Sequence, residues 1–425
     1  MTKYEIRRND MRKGMKTSIG LFALSLIFCL LFTSLSFGQE MPKPGEVIDK
    51  GNYKKYAHLF PEEFLPGFED GMGGFWKPFV IKVIETKPYG LPDAFVALSE
   101  KNRGKFTIDK DGFIAGGFDY IGLPFPGLTK DDKDFGTKFM YNFNYRYMWD
   151  DAGGGGGAHD CEKRKGEPIA NVDFQGSMIS FINRLFETPK PKYDNPVGLQ
   201  GGQTLIYTYP PGWKNMGMLQ YTYLDPKRHN EIYLYLPTMR RVVRGDAGQS
   251  STPIQGTTQS FDDFNGGFNG KVFEFTFKLL GERKVLGSAD TPWRIPLCKK
   301  LQAEGGGALP FSGDNFSVRD VYIIEVKSKD PKYPQSNKIL YIDKDTLSIY
   351  YAMAWDRAGK FWKTWFTFYA PEKLANGDVL ARQYGQFGID VQVGYATSFV
   401  LEGNLNGNGF KYADFLPSIL GKKGR

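Results

Sequence analysis

Asp262 and Asp263 are the residues whose type and spacing come nearest to acid–base chemistry. They sit in Ser260-Phe261-Asp262-Asp263-Phe264, directly ahead of Gly266, Gly267 and Gly270. Two carboxylates sharing a cleft can hold their pKa values apart, one serving as acid and the other as base. Neighbouring residues on an extended chain point to opposite faces, however, which disfavours a working dyad. The other role open to Asp262 or Asp263 is to accept backbone N–H groups in the glycine-rich turn. The sequence favours that second role, making Phe261, Asp262, Asp263 and Phe264 a structural turn.

Other reactive constellations are absent from the sequence. His58, His159 and His229 lie far apart and show no metal-ligand spacing, so neither a zinc site nor another metal centre is expected. No G-x-S-x-G elbow, Walker loop or dinucleotide fingerprint occurs, and no cofactor is implied. The run Gly153 to Gly157 is followed by Ala158-His159-Asp160 where a phosphate loop needs Lys-Ser/Thr, so it reads as a flexible surface loop. Arg240, Arg241 and Arg244 cluster after a Tyr/Leu strand. They could meet acidic lipid headgroups or a partner's carboxylates, or form a solvated rim that pairs with Asp262 or Asp263.

The chain's first 38 residues have the pattern of a secretory signal. Arg7, Arg8, Arg12, Lys13 and Lys16 precede an apolar run from Ile19 to Phe32, and Ser36-Phe37-Gly38 suits cleavage. That run is shorter than the ~20 residues a spanning helix needs. The expected location is therefore the periplasm, in association with the outer membrane. Removing this segment takes away six basic and two acidic residues, leaving 49 against 45, so half of the formal +8 belongs to the export signal. No basic run with interleaved aromatics remains, which argues against nucleic acid as a partner. Cys161 and Cys298 stay in the exported part. In an oxidising compartment they are compatible with one disulfide or with two separate thiols.

The elements that would position these residues are mostly strands. Aromatics make up 16% of the chain, with 51 glycines and 25 prolines, a composition that leans to β structure with many turns. Nine runs carry strand signals: 177–186, 204–209, 218–224, 231–236, 272–280, 320–327, 338–342, 347–355 and 361–369. Few helical patterns lie between them, so hairpins and meanders should build one large antiparallel sheet that must curl or cover itself. Residues 386–401 add a further strand candidate. Phe139, Tyr141, Phe143, Tyr145, Tyr147 and Trp149 alternate strictly within 137–149, which also reads as strand.

Several ordered motifs resemble the domain-of-unknown-function 1329 family. They are LQYTYLDPKRHNEIYLYLPTMRRVVR (219–244), SFDDFNGGFNGKVFEFTFKLLGERKVL (260–286), RDVYIIEVK (319–327), KILYIDKDTLSIYY (338–351) and the D-R-x-G-K-x-W-K pattern of Asp356 to Lys363. LPFP (123–126) and the N-F-x-Y-R-Y element of Asn142 to Tyr147 also fit. That family is grouped with the lipoprotein-sorting carriers and receptors of the LolA/LolB type. The resemblance implies a mainly β (α+β) fold: a curved antiparallel sheet forming an unclosed half-barrel, with helices covering its concave face. With the signal (1–38) set aside, the expected division is an N-terminal lead-in and cover segment (39–135) and the half-barrel domain (136–425). The resemblance also implies that 137–149 is helical, against the local alternation.

Function follows as an expectation: a non-catalytic carrier or chaperone that binds a lipid or other hydrophobic molecule. The expected apolar cavity is lined by Phe273, Phe275, Phe277, Ile349, Tyr351, Met353, Phe366 and Phe368, taken as one row of strand faces. The resemblance suggests an inner-membrane exporter of hydrophobic molecules and an outer-membrane protein as partners. The alternatives are a scaffold that recognises protein through Tyr233 and Arg241, and an envelope hydrolase using Asp262 or Asp263.

Overall fold

Alternating side-chain character becomes strand along most of the chain. A computed structural model describes residues 40–75, 77–162, 168–195, 197–245, 251, 257–294 and 314–423. The fold is that of one unit, Lys43–Arg425. The expected export signal and Cys298, hence the Cys161–Cys298 pairing, lie outside the described residues.

The strands are β1 (Val47–Ile48), β2 (Ile81–Val83), the small hairpin β3 (Thr107–Ile108) and β4 (Ile114–Ala115), and two long meanders. The first meander is β5 (Asp151–Glu162), β6 (Pro168–Ser180), β7 (Leu199–Tyr209), β8 (Gly217–Tyr223), β9 (Glu231–Leu236) and β10 (Arg241–Gly245). The second is β11 (Phe275–Ser288), β12 (Asp314–Ser328), β13 (Gln335–Asp343), β14 (Ile349–Asp356), β15 (Phe361–Lys373), β16 (Val379–Asp390) and β17 (Tyr395–Leu405). β17 pairs with β5 and so joins the two meanders into one sheet, ordered β1-β2-β12-β13-β14-β15-β16-β17-β5-β6-β7-β8-β9-β10, with β11 on the other side of β12. Its pairings are antiparallel except β2 with β12. The two ends of the order do not pair, so the large curved sheet stays open. Each of the nine expected runs overlaps one of these strands.

Two expectations are corrected. Gly153 to Gly157 are not a surface loop: they lie in β5, paired on one side with β17 and on the other with β6. Strand there follows from the neighbours, because a chain without side chains lets the two meanders approach closely. Residues 135–145 form a helix, as the family resemblance implied and the local alternation did not. Alternate rings on a helix point all round its axis, which suits only a helix buried on every side. This one is buried over most of its circumference, with Asn144 exposed: Phe135 and Phe139 meet Tyr322 of β12, Phe143 meets Phe268, and Tyr145 meets Phe118 of the preceding segment.

Both faces of the second meander are covered. One carries Val285, Tyr351, Met353, Phe366 and Phe368 under the lead-in residues Tyr53, Phe60, Phe64 and Phe68. Phe64 makes edge contacts with Tyr351 and Phe366 at ring separations of 5.2 and 4.7 Å. The opposite face carries Phe275, Ile324, Ile349, Ala352 and Trp365 under the aromatic helix.

Asp314, at the start of β12, is fully buried. Burial raises its carboxyl to about 7, against hydrogen bonds from Ser288, the Asn315 N–H and Thr291. A folded pKa above the unfolded one contributes stability that is complete below about 4 and lost as pH rises through about 7. Asp314→Asn, which mimics the protonated form, should therefore match the wild type at pH 4 and exceed it by about 2–4 kcal/mol at pH 8. Urea unfolding at the two pH values checks this.

Candidate functional site

The acidic–aromatic turn forms around Ser260, whose N–H and hydroxyl both donate to Asp263 Oδ2, at 3.0 and 2.9 Å. The resulting 3-10 turn, Phe261–Asp263, sends the two carboxylates apart. Asp263 is wholly buried between Lys338 of β13, 3.4 Å from Oδ1, and Lys363 of β15, 3.7 Å from Oδ2. Asp262 Oδ2 instead accepts from the Tyr333 hydroxyl at 3.1 Å. No shared cleft exists for a dyad.

What the turn does is fasten residues 257–267 to the sheet. Lys363 Nζ donates to the Thr258 carbonyl at 2.6 Å and Lys338 Nζ to that of Gly267. Gln386 of β16 donates to the Asp263 carbonyl at 2.9 Å and accepts from the Gly266 N–H at 2.9 Å. Gly267 permits the approach, since a Cβ there would lie 2.5 Å from that of Ala352.

The arginine cluster does not reach Asp262 or Asp263. Arg244 pairs with Glu231 at 3.1 Å, because β10 returns antiparallel along β9 and brings the two together. Arg240 occupies the turn between those strands, and Arg240 and Arg241 are exposed.

The eight residues expected to line one cavity are divided. Tyr351, Met353, Phe366 and Phe368 lie under the lead-in, whereas Phe275, Phe277 and Ile349 lie against the aromatic helix. For Ile349 the cause is a bulge in β14, where Tyr341 faces Tyr351 but Ile342 faces Ile349. The extra residue puts Ile349 and Tyr351 on opposite faces. Phe273 leaves the row as well, because Val272–Glu274 is a 3-10 turn and β11 begins at Phe275.

A cavity of about 320 Å³ opens instead on the first meander. Its floor is one face of β6, β7 and β8, presenting Met178 and Ser180, Gly201 and Gln203, and Gln220 and Thr222. The intervening residues Ile179, Leu219, Tyr221 and Tyr223 face the other way, under Phe415 and Leu420 of the C-terminal segment. That segment therefore fixes which face of the strands is left to the cavity. The opposite wall is the exit of the aromatic helix, Arg146 to Trp149, together with Phe264, Phe268 and Phe273. A smaller cavity of about 90 Å³ shares Arg146 to Trp149, Met178, Gln383 and Leu401 with the larger one. The enclosure is apolar along Met178, Phe268 and Leu401, and polar along Gln203, Gln220 and Arg146.

Of the expected lining residues, Phe273 alone borders this cavity. Arg146, Met178, Gln203 and Gln220 escaped the sequence reading. Arg146 lies inside the N-F-x-Y-R-Y element, where the aromatic alternation dominated the pattern. Among the described residues, no group of three or more His, Cys, Asp and Glu could hold a metal ion.

The family model described as "Protein of unknown function (DUF1329)" matches residues 47–415. No curated protein matches the chain. Among solved structures, the chain is similar to a DUF1329 family protein from Desulfovibrio piger, at 17% identity over 64% of this chain and 92% of that one, with a TM-score of 0.44. It is also similar to a LolA superfamily protein from Nitrosomonas europaea, at 11% identity over 64% and 91% of the two chains, with a TM-score of 0.36.

Proposed function

We propose that this chain, which belongs to the DUF1329 family, is a periplasmic carrier that holds a lipid or similar hydrophobic molecule between the first meander and the exit of its aromatic helix. The observation that carries this reading is the cavity of about 320 Å³, part apolar and part polar. That volume is at the lower end of the range for small-molecule sites, and a few placed polar groups in a largely hydrophobic enclosure are what orient such ligands. The export pattern in residues 1–38 supports a periplasmic location. An exporter of hydrophobic molecules in the inner membrane would supply the cargo, and an outer-membrane protein would receive it. The acidic turn serves as a fastening of the fold: Asp263 is enclosed by two lysines, while its neighbour Phe264 reaches the cavity wall.

Native mass spectrometry of protein purified from envelope extract tests the reading, together with titration of a fluorescent fatty acid. Bound mass or saturable uptake of the probe supports it. A clean apo mass with no uptake would sink it. Met178 borders both cavities, so Met178→Trp should fill the space and weaken probe binding about tenfold or more, while the melting temperature shifts by only a few degrees.

A further inference from the structure

Arg146 is half-buried and stands apart from the buried arginines Arg184 and Arg319. Arg184 is saturated by backbone carbonyls, including those of Asp150 and Ser180, each at 2.9 Å. Arg319 grips Asp343 with Nε and Nη2, at 2.7 and 3.2 Å. Arg146 makes a single hydrogen bond among the described residues, from Nη1 to the Phe143 carbonyl at 2.6 Å. Its guanidinium lies over the Phe143 ring, 3.9 Å from the centroid. No carboxylate pairs with it among the described residues.

The helix-capping role satisfied by that one bond leaves most of the guanidinium's five N–H groups without partners. Removing a cation from water with no counter-charge is costly. The protein surroundings lower the guanidinium pKa to about 10 through desolvation, which leaves it charged at neutral pH. Where the side chain sits gives the charge a use: it borders both cavities.

Among the described residues, the lining of the larger cavity contains no Asp or Glu and its basic members are Arg146 and Lys271, whereas the smaller cavity also carries Arg382 and Glu402. Lys271 is already engaged by the carbonyls of Pro226 and Arg228. Gln203 and Gln220 face each other across β7 and β8, and neither amide has a side-chain hydrogen bond among the described residues. A fixed guanidinium fork and two free amides on the same cavity form a set of donors for an oxyanion. Met178, Phe268 and Leu401 give the same cavity its apolar lining, with Met178 paired directly beside Gln203.

We infer that the cargo is an anionic amphiphile, a carboxylate or phosphate monoester on a hydrocarbon tail, whose head group is bound by Arg146 with Gln203 and Gln220 beside it. This rests on the carrier reading and names the class of molecule carried. Stacking on Phe143 holds the fork in place before the ligand arrives, so little ordering is needed on binding.

The test is fluorescence titration of the protein lacking residues 1–38 with cis-parinaric acid and with its methyl ester, which keeps the tail and removes the charge. The acid should bind about tenfold or more tightly than the ester. Arg146→Gln should abolish that preference, lowering acid affinity far more than ester affinity, and Arg146→Lys should keep part of it. Retained ester binding shows that the cavity survives the substitution; should Arg146→Gln fail to fold, the acid–ester comparison in the wild type decides. Displacement by dodecanoate or by dodecyl phosphate, whichever acts at lower concentration, assigns the head group. Equal binding of acid and ester would overturn the inference and leave the carrier reading standing, whereas binding of neither would overturn both. Displacement by inorganic phosphate at the same concentration as dodecyl phosphate would show a simple anion site and overturn the amphiphile.

Discussion

Asp263→Ala should destabilise the fold by about 3–5 kcal/mol, the usual consequence of removing one partner from a buried ion pair. Lys338 and Lys363 are each 4% exposed, and Asp263 is their shared carboxylate. Without it, two ammonium groups face each other beneath residues 257–267 with carbonyl oxygens as their remaining partners. A loss of that size is a large fraction of the 5–15 kcal/mol that holds a typical domain together. Asp262→Ala removes one acceptor of the Tyr333 hydroxyl and should cost about 1–3 kcal/mol. Urea midpoints of the two variants make the comparison, and equal losses would refute the assignment of Asp263 as the fastening charge. Replacing Lys338 by Met in the Asp263→Ala background should recover part of the loss, because it removes one uncompensated cation.

The same carboxylate gives the fold an acid limit. Burial works to raise the Asp263 pKa, but Lys338, Lys363 and the Ser260 hydrogen bonds outweigh it and hold the carboxyl below its ordinary value. A depressed folded pKa contributes stability that is complete above the unfolded value, about 4, and is lost as pH falls through the folded one. Below pH 4 the wild type should therefore lose stability more steeply than Asp263→Ala.

Gly403→Ala should also be severe, at about 3 kcal/mol or more from strain and overpacking combined. Gly403 of β17 faces Gly154 of β5 on the seam that unites the two meanders. Its φ of +140° lies in a region open almost only to glycine, and a Cβ there would stand 2.1 Å from the Gly153 carbonyl oxygen. Gly154 is the reciprocal case, with a Cβ 2.0 Å from the Glu402 carbonyl oxygen. Gly377→Ala, at a turn where nothing lies within 4 Å, controls for the cost of a positive φ alone. Thermal unfolding should separate the two: a drop at Gly403 several times that at Gly377 identifies the seam as tightly packed backbone, and equal drops would refute it.

Much of the fold was legible because strand periodicity is local. Each run from 177 to 369 that alternated apolar and polar residues, or was apolar throughout, overlaps an observed strand. The order of the sheet was not legible, since the pairing of β17 with β5 joins residues some 240 positions apart and leaves no local mark. A glycine run carries no pattern at all, and Gly153 to Gly157 became strand only because two long neighbours flank it.

The candidate site divides in the same way. Sequence alone determined the chemistry on offer: no metal or nucleotide motif, abundant aromatics, and an acidic turn better suited to structure than to catalysis. It could not decide which aromatics share a face, because the bulge in β14 reverses the parity of Ile349 against Tyr351. Nor could it find Arg146, whose meaning depends on which described residues line the larger cavity with it, a property of residues distant in the chain. Period-two arithmetic holds within a strand, but tertiary packing decides where bulges fall, which faces are covered and which charge is left without a partner.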